Sequence, residues 1–169
     1  MENIVKLHTL PLNNVKTYLF AVIFAAGNLI LPQLIHTIPQ GGLIFLPIYF
    51  FTLIAAYKYG IHVGILTAVL SPLLNNVLFG MPPTAVLPAI LIKSVLLAII
   101  AAVMAKRFGK VSFLAILIAV LGYQIIGFAF EWAWTADFNI AVQDFRLGIP
   151  GILIQIIGGY FVLKALEKL

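Results

Sequence analysis

The stretch TAVLPAILIKSVLLAIIAAVMAK, residues 84–106, decides the fold. A membrane-crossing helix needs roughly 20 predominantly apolar residues. Here a run of that length carries one charge, Lys93, before the Lys106-Arg107 pair closes it. A helix on the surface of a soluble domain keeps a polar face, and this one has none. The rest of the chain agrees. Of 169 residues, 63 % are apolar and 9 % charged, with a mean hydropathy of +1.16, whereas soluble domains run at roughly 45–50 % and 25 %. A chain this short has too much surface for its volume to hide so many apolar side chains from water. The bilayer is therefore its solvent. That excludes a disordered chain, a nucleic-acid-binding module and a disulfide scaffold. With no cysteine in the sequence, thiol chemistry and Cys-ligated metals are excluded too.

Working outward from 84–106, further apolar runs give spans over 17–35, 43–58, 61–79, 84–106, 111–131 and 148–166, within a single six-helix membrane domain over 1–169. The breaks have local causes. Pro39-Gln40-Gly41-Gly42 and Gly80-Met81-Pro82-Pro83 contain residues that cannot continue a helix cheaply. Lys58-Tyr59-Gly60 and 106–110 are short charged turns, and 132–148 is the longest polar connection. The expected fold class is all-α and polytopic. Merging the short runs differently gives five or seven spans.

Cytoplasmic loops collect Lys and Arg. With six spans and the amino terminus inside, the inner segments hold Lys6, Lys16, Lys58, Lys106, Arg107, Lys110, Lys164 and Lys168, while the outer loops hold Arg146 beside Asp137 and Asp144. Shifting the count by one helix destroys this asymmetry. Both termini are therefore expected in the cytoplasm, and the net charge of +5 reads as topology in a multi-pass inner-membrane protein. Membrane lipid is the expected surrounding, and no nucleic acid is expected as a partner. More membrane follows the first apolar run, which argues against a cleaved signal peptide. The basic leader 1–16, with Ile4, Val5, Leu7, Leu10 and Leu12, either lies along the inner interface or serves as a plain topogenic flank.

Polar side chains inside a span are expensive and face a bundle interior or a cavity. Asn28 and Gln33, then Ser71, Asn75 and Asn76, fall toward the outer ends of their spans; Gln124, Glu131 and Gln155 fall at or above mid-depth. Lys93 lies roughly 13 Å below the outer end of its span at 1.5 Å per residue. The inner halves are nearly pure Ala, Val, Ile, Leu and Phe. A pore or alternating-access carrier wants polar groups along the whole membrane depth, so this pattern describes a cup open to the outside. Asn28, Gln124 and Gln155 are expected either to contact a ligand or to serve as hydrogen bonds between helices, and Asn75 and Asn76 either to contact a ligand or to satisfy backbone groups freed near Pro72. Lys93 is expected to face a ligand bearing a carboxylate, phosphate or other acceptor, with an ion pair to Glu131 as the alternative. Trp132 and Trp134 either form a stacking wall beside Glu131 or sit in the interfacial aromatic belt.

Catalytic machinery is absent from this reading. His8, His36 and His62 lack zinc-site spacing, no GxxxxGK[ST] loop is present, and no Ser-His-acid set falls at one depth. The expectation is a non-enzyme with no metal and no cofactor, unable to harness ATP by itself.

The segment Ser71-Pro72-Leu73-Leu74-Asn75-Asn76-Val77-Leu78-Phe79-Gly80-Met81-Pro82-Pro83 resembles the SPLL-x-x-LL-x-GMPP segment between spans three and four of many substrate-binding S components of energy-coupling factor (ECF) vitamin transporters. Size, six-span layout and orientation resemble that family along essentially the whole chain. Ala21-xxx-Ala25 is similar to the small-residue motif by which the family's first helix docks on the scaffold T subunit. The resemblance implies a substrate-capture subunit. It binds a vitamin or related micronutrient from outside, associates with a T subunit and two ATPase subunits, and reorients to release its cargo inside. Position 2 is Glu2 rather than the histidine of the nickel and cobalt members, so a metal substrate is not expected. Two other readings stand beside this one. The first is an MreD-like structural membrane scaffold with no small-molecule ligand. The second is a self-sufficient oligomeric transporter.

Overall fold

The fold is described by a computed structural model over Leu7 and residues 9–167. The readings that fall on Glu2, Ile4, Val5, Lys6, His8 and Lys168 lie outside these residues. Among the described residues the chain is helical throughout, with no strand. Five helices are long and apolar enough to cross a membrane. They are α1 (Val15–Ile35), α4 (Ile61–Phe79), α5 (Leu87–Phe108), α6 (Phe113–Thr135) and a final helix over Ile149–Leu166. Their ends follow from sequence chemistry. The side chains of Asn14 and Ser112 accept backbone N–H groups in the first turns of α1 and α6, which supplies acceptors for donors that have no intrahelical partner. Gly80 and Gly109 close α4 and α5 in the left-handed conformation, at φ +67° and +63°.

The run 43–58 does not form one straight span. It folds as α2 (Gly41–Phe45), a 3₁₀ turn (Pro47–Tyr49) and α3 (Phe50–Tyr59). Leu46, the residue before Pro47, closes α2 in the left-handed conformation at φ 47°, ψ 47°, with its N–H on the Gly42 carbonyl. The ten-residue α3 is the central helix of the bundle, with every residue from Thr52 to Lys58 buried. Its unbroken apolar run reflects enclosure by protein on all sides rather than contact with lipid.

Neighbouring pairs fix the directions. Ala21 packs with Val63 in one cluster, and Asn28 Nδ2 donates to Ser71 Oγ at 3.0 Å, so α1 and α4 run in parallel. Phe20 stacks on Tyr59 at 4.2 Å while Asn28 meets Thr52, so α3 runs against α1. Lys93 meets Glu131 and Ile100 meets Gly122, so α5 and α6 are antiparallel. Lys16, Lys58, Lys106, Arg107, Lys110 and Lys164 thereby gather at one end of the bundle, which we call the basic end. Glu131, Asp137, Asp144 and Arg146 lie at the other, the acidic end.

The basic end is closed by side chains that meet free backbone groups. Tyr57 Oη donates to the Lys110 carbonyl (2.9 Å) and accepts from Ser112 N–H (3.2 Å). Lys58 Nζ donates to the Leu166 carbonyl at 2.9 Å, satisfying the end of the final helix. The segment before α1 is tied to the α3–α4 turn, where Leu10 N–H donates to the Tyr59 carbonyl at 3.2 Å. Ala98, Ala101 and Ala105 of α5 are buried in the main core. Ala21 and Ala25 are buried as well, at 1 % and 2 % exposure. In the described bundle these alanines let α1 approach α3 and α4, and α1 turns Tyr18, Leu19, Val22 and Ile23 outward instead.

Candidate functional site

Lys93 owes its position to a glycine opposite. A Cβ on Gly127 would fall 2.5 Å from Lys93 Cγ, so the lysine stem lies across α6 where α6 has no side chain. One helical turn further on, Glu131 receives the ammonium through Oε2. A second carboxylate, Asp144, comes from α8 (Gln143–Arg146) and receives the same ammonium through Oδ2 at 2.9 Å. All three groups are largely withdrawn from solvent: the Lys93 side chain is 4 % exposed, Glu131 11 % and Asp144 13 %. The expected ligand-facing cation is thus already held by two carboxylates of the chain itself.

The connection that brings Asp144 back is built by local caps. Thr135 Oγ1 donates to the Glu131 carbonyl (2.7 Å), and Ala136 ends α6 in the left-handed conformation at φ 53°. Asp137 Oδ1 then accepts from Asn139 and Ile140 N–H, starting α7 (Phe138–Ala141). Phe138 and Phe145 pack edge-on against Phe128 of α6, with ring centroids 5.8 and 6.1 Å away, and pin the connection over the acid pair.

Deeper in the bundle lies a short polar chain. Gln124 Nε2 donates to Tyr123 Oη, and Tyr123 Oη donates to Gln155 Oε1, each at 2.9 Å. Gln155 sits in a π turn (Ile154–Gly158) between α9 (Ile149–Leu153) and α10 (Gly159–Leu166). Such single-turn widenings are frequent at functional positions. Tyr123 and Gln124 lie about one helical turn before Gly127, against which the Lys93 stem rests, and the Tyr123 ring centroid is 5.2 Å from that of Tyr49. The tyrosine–glutamine chain and the charged cluster therefore share one region between α5, α6, the 3₁₀ turn and the final helix. Gln124 Oε1, Gln155 Nε2 and Ser94 Oγ are buried there without hydrogen-bond partners.

The asparagines form a separate group. Asn28 Nδ2 donates to Thr52 Oγ1 and Ser71 Oγ, both at 3.0 Å, and Asn28 Oδ1 accepts Phe51 N–H at 3.1 Å. Asn75 Nδ2 donates to the Asn28 and Ser71 carbonyls at 2.9 Å. These amides clip α1, α3 and α4 together at the start of α3, and for Asn28 this is the bundle-internal alternative of the two expected. Asn76 donates to the Pro82 carbonyl at 2.7 Å and fixes the Gly80–Pro83 turn. Trp132, although next to Glu131, is 48 % exposed and packs on Phe128 and Phe138. Trp134 stacks on Phe130. Both indoles lie on the outer surface of the acidic end rather than in the charged cluster.

A cavity of about 530 Å³ opens between the end of α1, α2 and the Gly80–Pro83 turn. Ile48, Met81, Pro82 and Ile90 give it an apolar wall, with His36 and Asn75 as polar points. Pro47 and Ile48 of the 3₁₀ turn line this cavity, while Tyr49 of the same turn packs against Tyr123.

Of the expected site residues, then, the fold joins Lys93, Glu131, Gln124 and Gln155 in one region and sets Asn28, Asn75, Asn76 and Trp132 apart from it. Asp144 and Tyr123 were not among the expected residues. A lysine buried in an apolar helix calls for carboxylates, and the long polar connection supplies Asp137 and Asp144, but sequence spacing does not say which one returns. Comparison of the chain with family models, with curated proteins and with solved structures finds no match in any of the three.

Proposed function

We propose that the chain is the substrate-capture subunit of a membrane importer of the ECF type, binding a small water-soluble micronutrient at its acidic end. The observation that carries the reading is one-sidedness. The buried charges and unpartnered amides of the cluster gather beneath the acidic-end connections, whereas the basic end is closed by packed alanines and backbone hydrogen bonds. Such a bundle gathers its buried polar groups toward one end and offers no polar route through to the other. Delivery then requires the whole subunit to reorient, driven by T and ATPase partners, because this chain has no phosphate-binding loop of its own.

In this reading the chain crosses the inner membrane six times, the second crossing made by α2, the 3₁₀ turn and α3 together. The basic end and both termini face the cytoplasm. The resemblance of the 71–83 segment supports the assignment. In the structure that segment supplies both the Asn75 clip and the wall of the neighbouring cavity.

The test is co-expression with candidate T and ATPase subunits in a host lacking its own importers. Affinity-tagged chain is expected to copurify both partners and to confer ATP-dependent uptake of one micronutrient. Purification alone, with no uptake conferred and cell shape disturbed by loss of the gene, would instead fit an MreD-like scaffold. The asparagine clip, in which both amide hydrogens of Asn28 and its carbonyl oxygen are engaged within the bundle, is compatible with that second reading.

A further inference from the structure

The charged cluster does not balance. One ammonium, Lys93, is shared by two carboxylates, Glu131 and Asp144, and among the described residues neither carboxylate has a second ion-pair partner. A buried site with an uncompensated charge is expensive, so an additional positive charge stabilises it. The order of exposure also matters. Lys93 lies innermost, at 4 % exposure, and the carboxylates lie on the more open side, at 11 % and 13 %.

The unpartnered groups nearby point to a ligand independently of charge. Ser94 follows Lys93 on α5, and Gln124 is three residues before Gly127, on which the Lys93 stem rests. Gln124 and Gln155 are at 0 % and 1 % exposure and both bond to the single hydroxyl of Tyr123. In this arrangement Gln124 keeps a free acceptor and Gln155 a free donor. Leaving such groups unmet in a buried place is costly.

Resting on the capture reading above, we propose that the captured solute is cationic: it presents a positively charged nitrogen to Glu131 and Asp144 and a donor–acceptor edge to Gln124 and Gln155. Lys93 is then a positioning residue that holds the two carboxylates together, rather than an anchor for an anionic ligand. This reverses the charge class expected from the sequence.

The experiment is calorimetric titration of the full chain in lipid nanodiscs with four probes, thiamin and pyridoxamine as cationic compounds and pantothenate and biotin as anionic ones. Mass spectrometry of small molecules retained through purification runs alongside. The expected result is that the retained molecule, or the tightest probe, carries a positive charge at neutral pH. Glu131→Gln removes the excess charge yet leaves the Lys93–Asp144 pair matched. It is therefore expected to keep or raise the thermal midpoint while weakening the cationic ligand by about tenfold or more. Tightest binding of an anionic molecule, or Glu131→Gln leaving a cationic ligand's affinity unchanged, overturns the charge assignment and leaves solute capture standing. Finding no retained molecule and no bound probe of either sign counts against capture itself.

Discussion

Two single residues govern how the charged cluster is built. Gly127 gives α6 the flat place on which the Lys93 stem rests. Alanine in a helix is ordinarily favoured over glycine by ~1 kcal/mol, but at this position the added methyl meets Lys93 Cγ at 2.5 Å. Gly127→Ala is therefore expected to destabilise by ~1–3 kcal/mol through overpacking, read as a lower thermal midpoint in detergent. Gly122→Ala on the same helix serves as the comparison. Its new methyl touches only the flexible end of Ile100 at 3.3 Å, so the change is expected to be small. Asn28 is the second. Asn28→Leu deprives the Phe51 N–H of its acceptor and the Thr52 and Ser71 hydroxyls of a donor, a loss of ~1–3 kcal/mol for the buried N–H alone. A wild-type midpoint in Asn28→Leu would show that the clip between α1, α3 and α4 does not hold the start of α3.

At the scale of elements, the long helices were legible because length and uniform apolarity are local properties. The runs read as 17–35, 61–79, 84–106, 111–131 and 148–166 correspond to helices over Val15–Ile35, Ile61–Phe79, Leu87–Phe108, Phe113–Thr135 and Ile149–Leu166. The break in 43–58 was visible only as Pro47. Its consequence, a short central helix reached through a left-handed Leu46, depends on α1, α4 and α5 closing around it. The π turn at Gln155 and the return of Asp144 to Lys93 are likewise products of packing between segments distant in sequence. One element end is poorly matched to its residue. Ala136 holds the left-handed position that closes α6 and is exposed, a conformation that costs a residue with a Cβ about 1 kcal/mol relative to glycine. Ala136→Gly is expected to raise stability by up to that amount, and a clear drop in the thermal midpoint would contradict the described cap.

Across the whole molecule, charge divides the bundle into a basic end and an acidic one, and the proposed topology places them on opposite sides of the membrane. The absence of native cysteine makes this directly testable. A cysteine at exposed Asn139 in the acidic-end connection is expected to react in intact cells with a membrane-impermeant thiol reagent. A cysteine at exposed Lys110, at the basic end, is expected to react only after lysis. Labelling of both in intact cells, or the reverse pattern, would contradict the orientation.

The central claim is that the recess beneath the acidic-end connections holds a small solute. Native mass spectrometry of the full chain, released from detergent micelles directly into the gas phase, tests it most simply. The account predicts a bound species at one molecule per chain, which a Gln124→Leu, Gln155→Leu double variant loses while its thermal midpoint stays measurable. A protein that emerges bare from every preparation, and that no water-soluble micronutrient stabilises against heating, would contradict it.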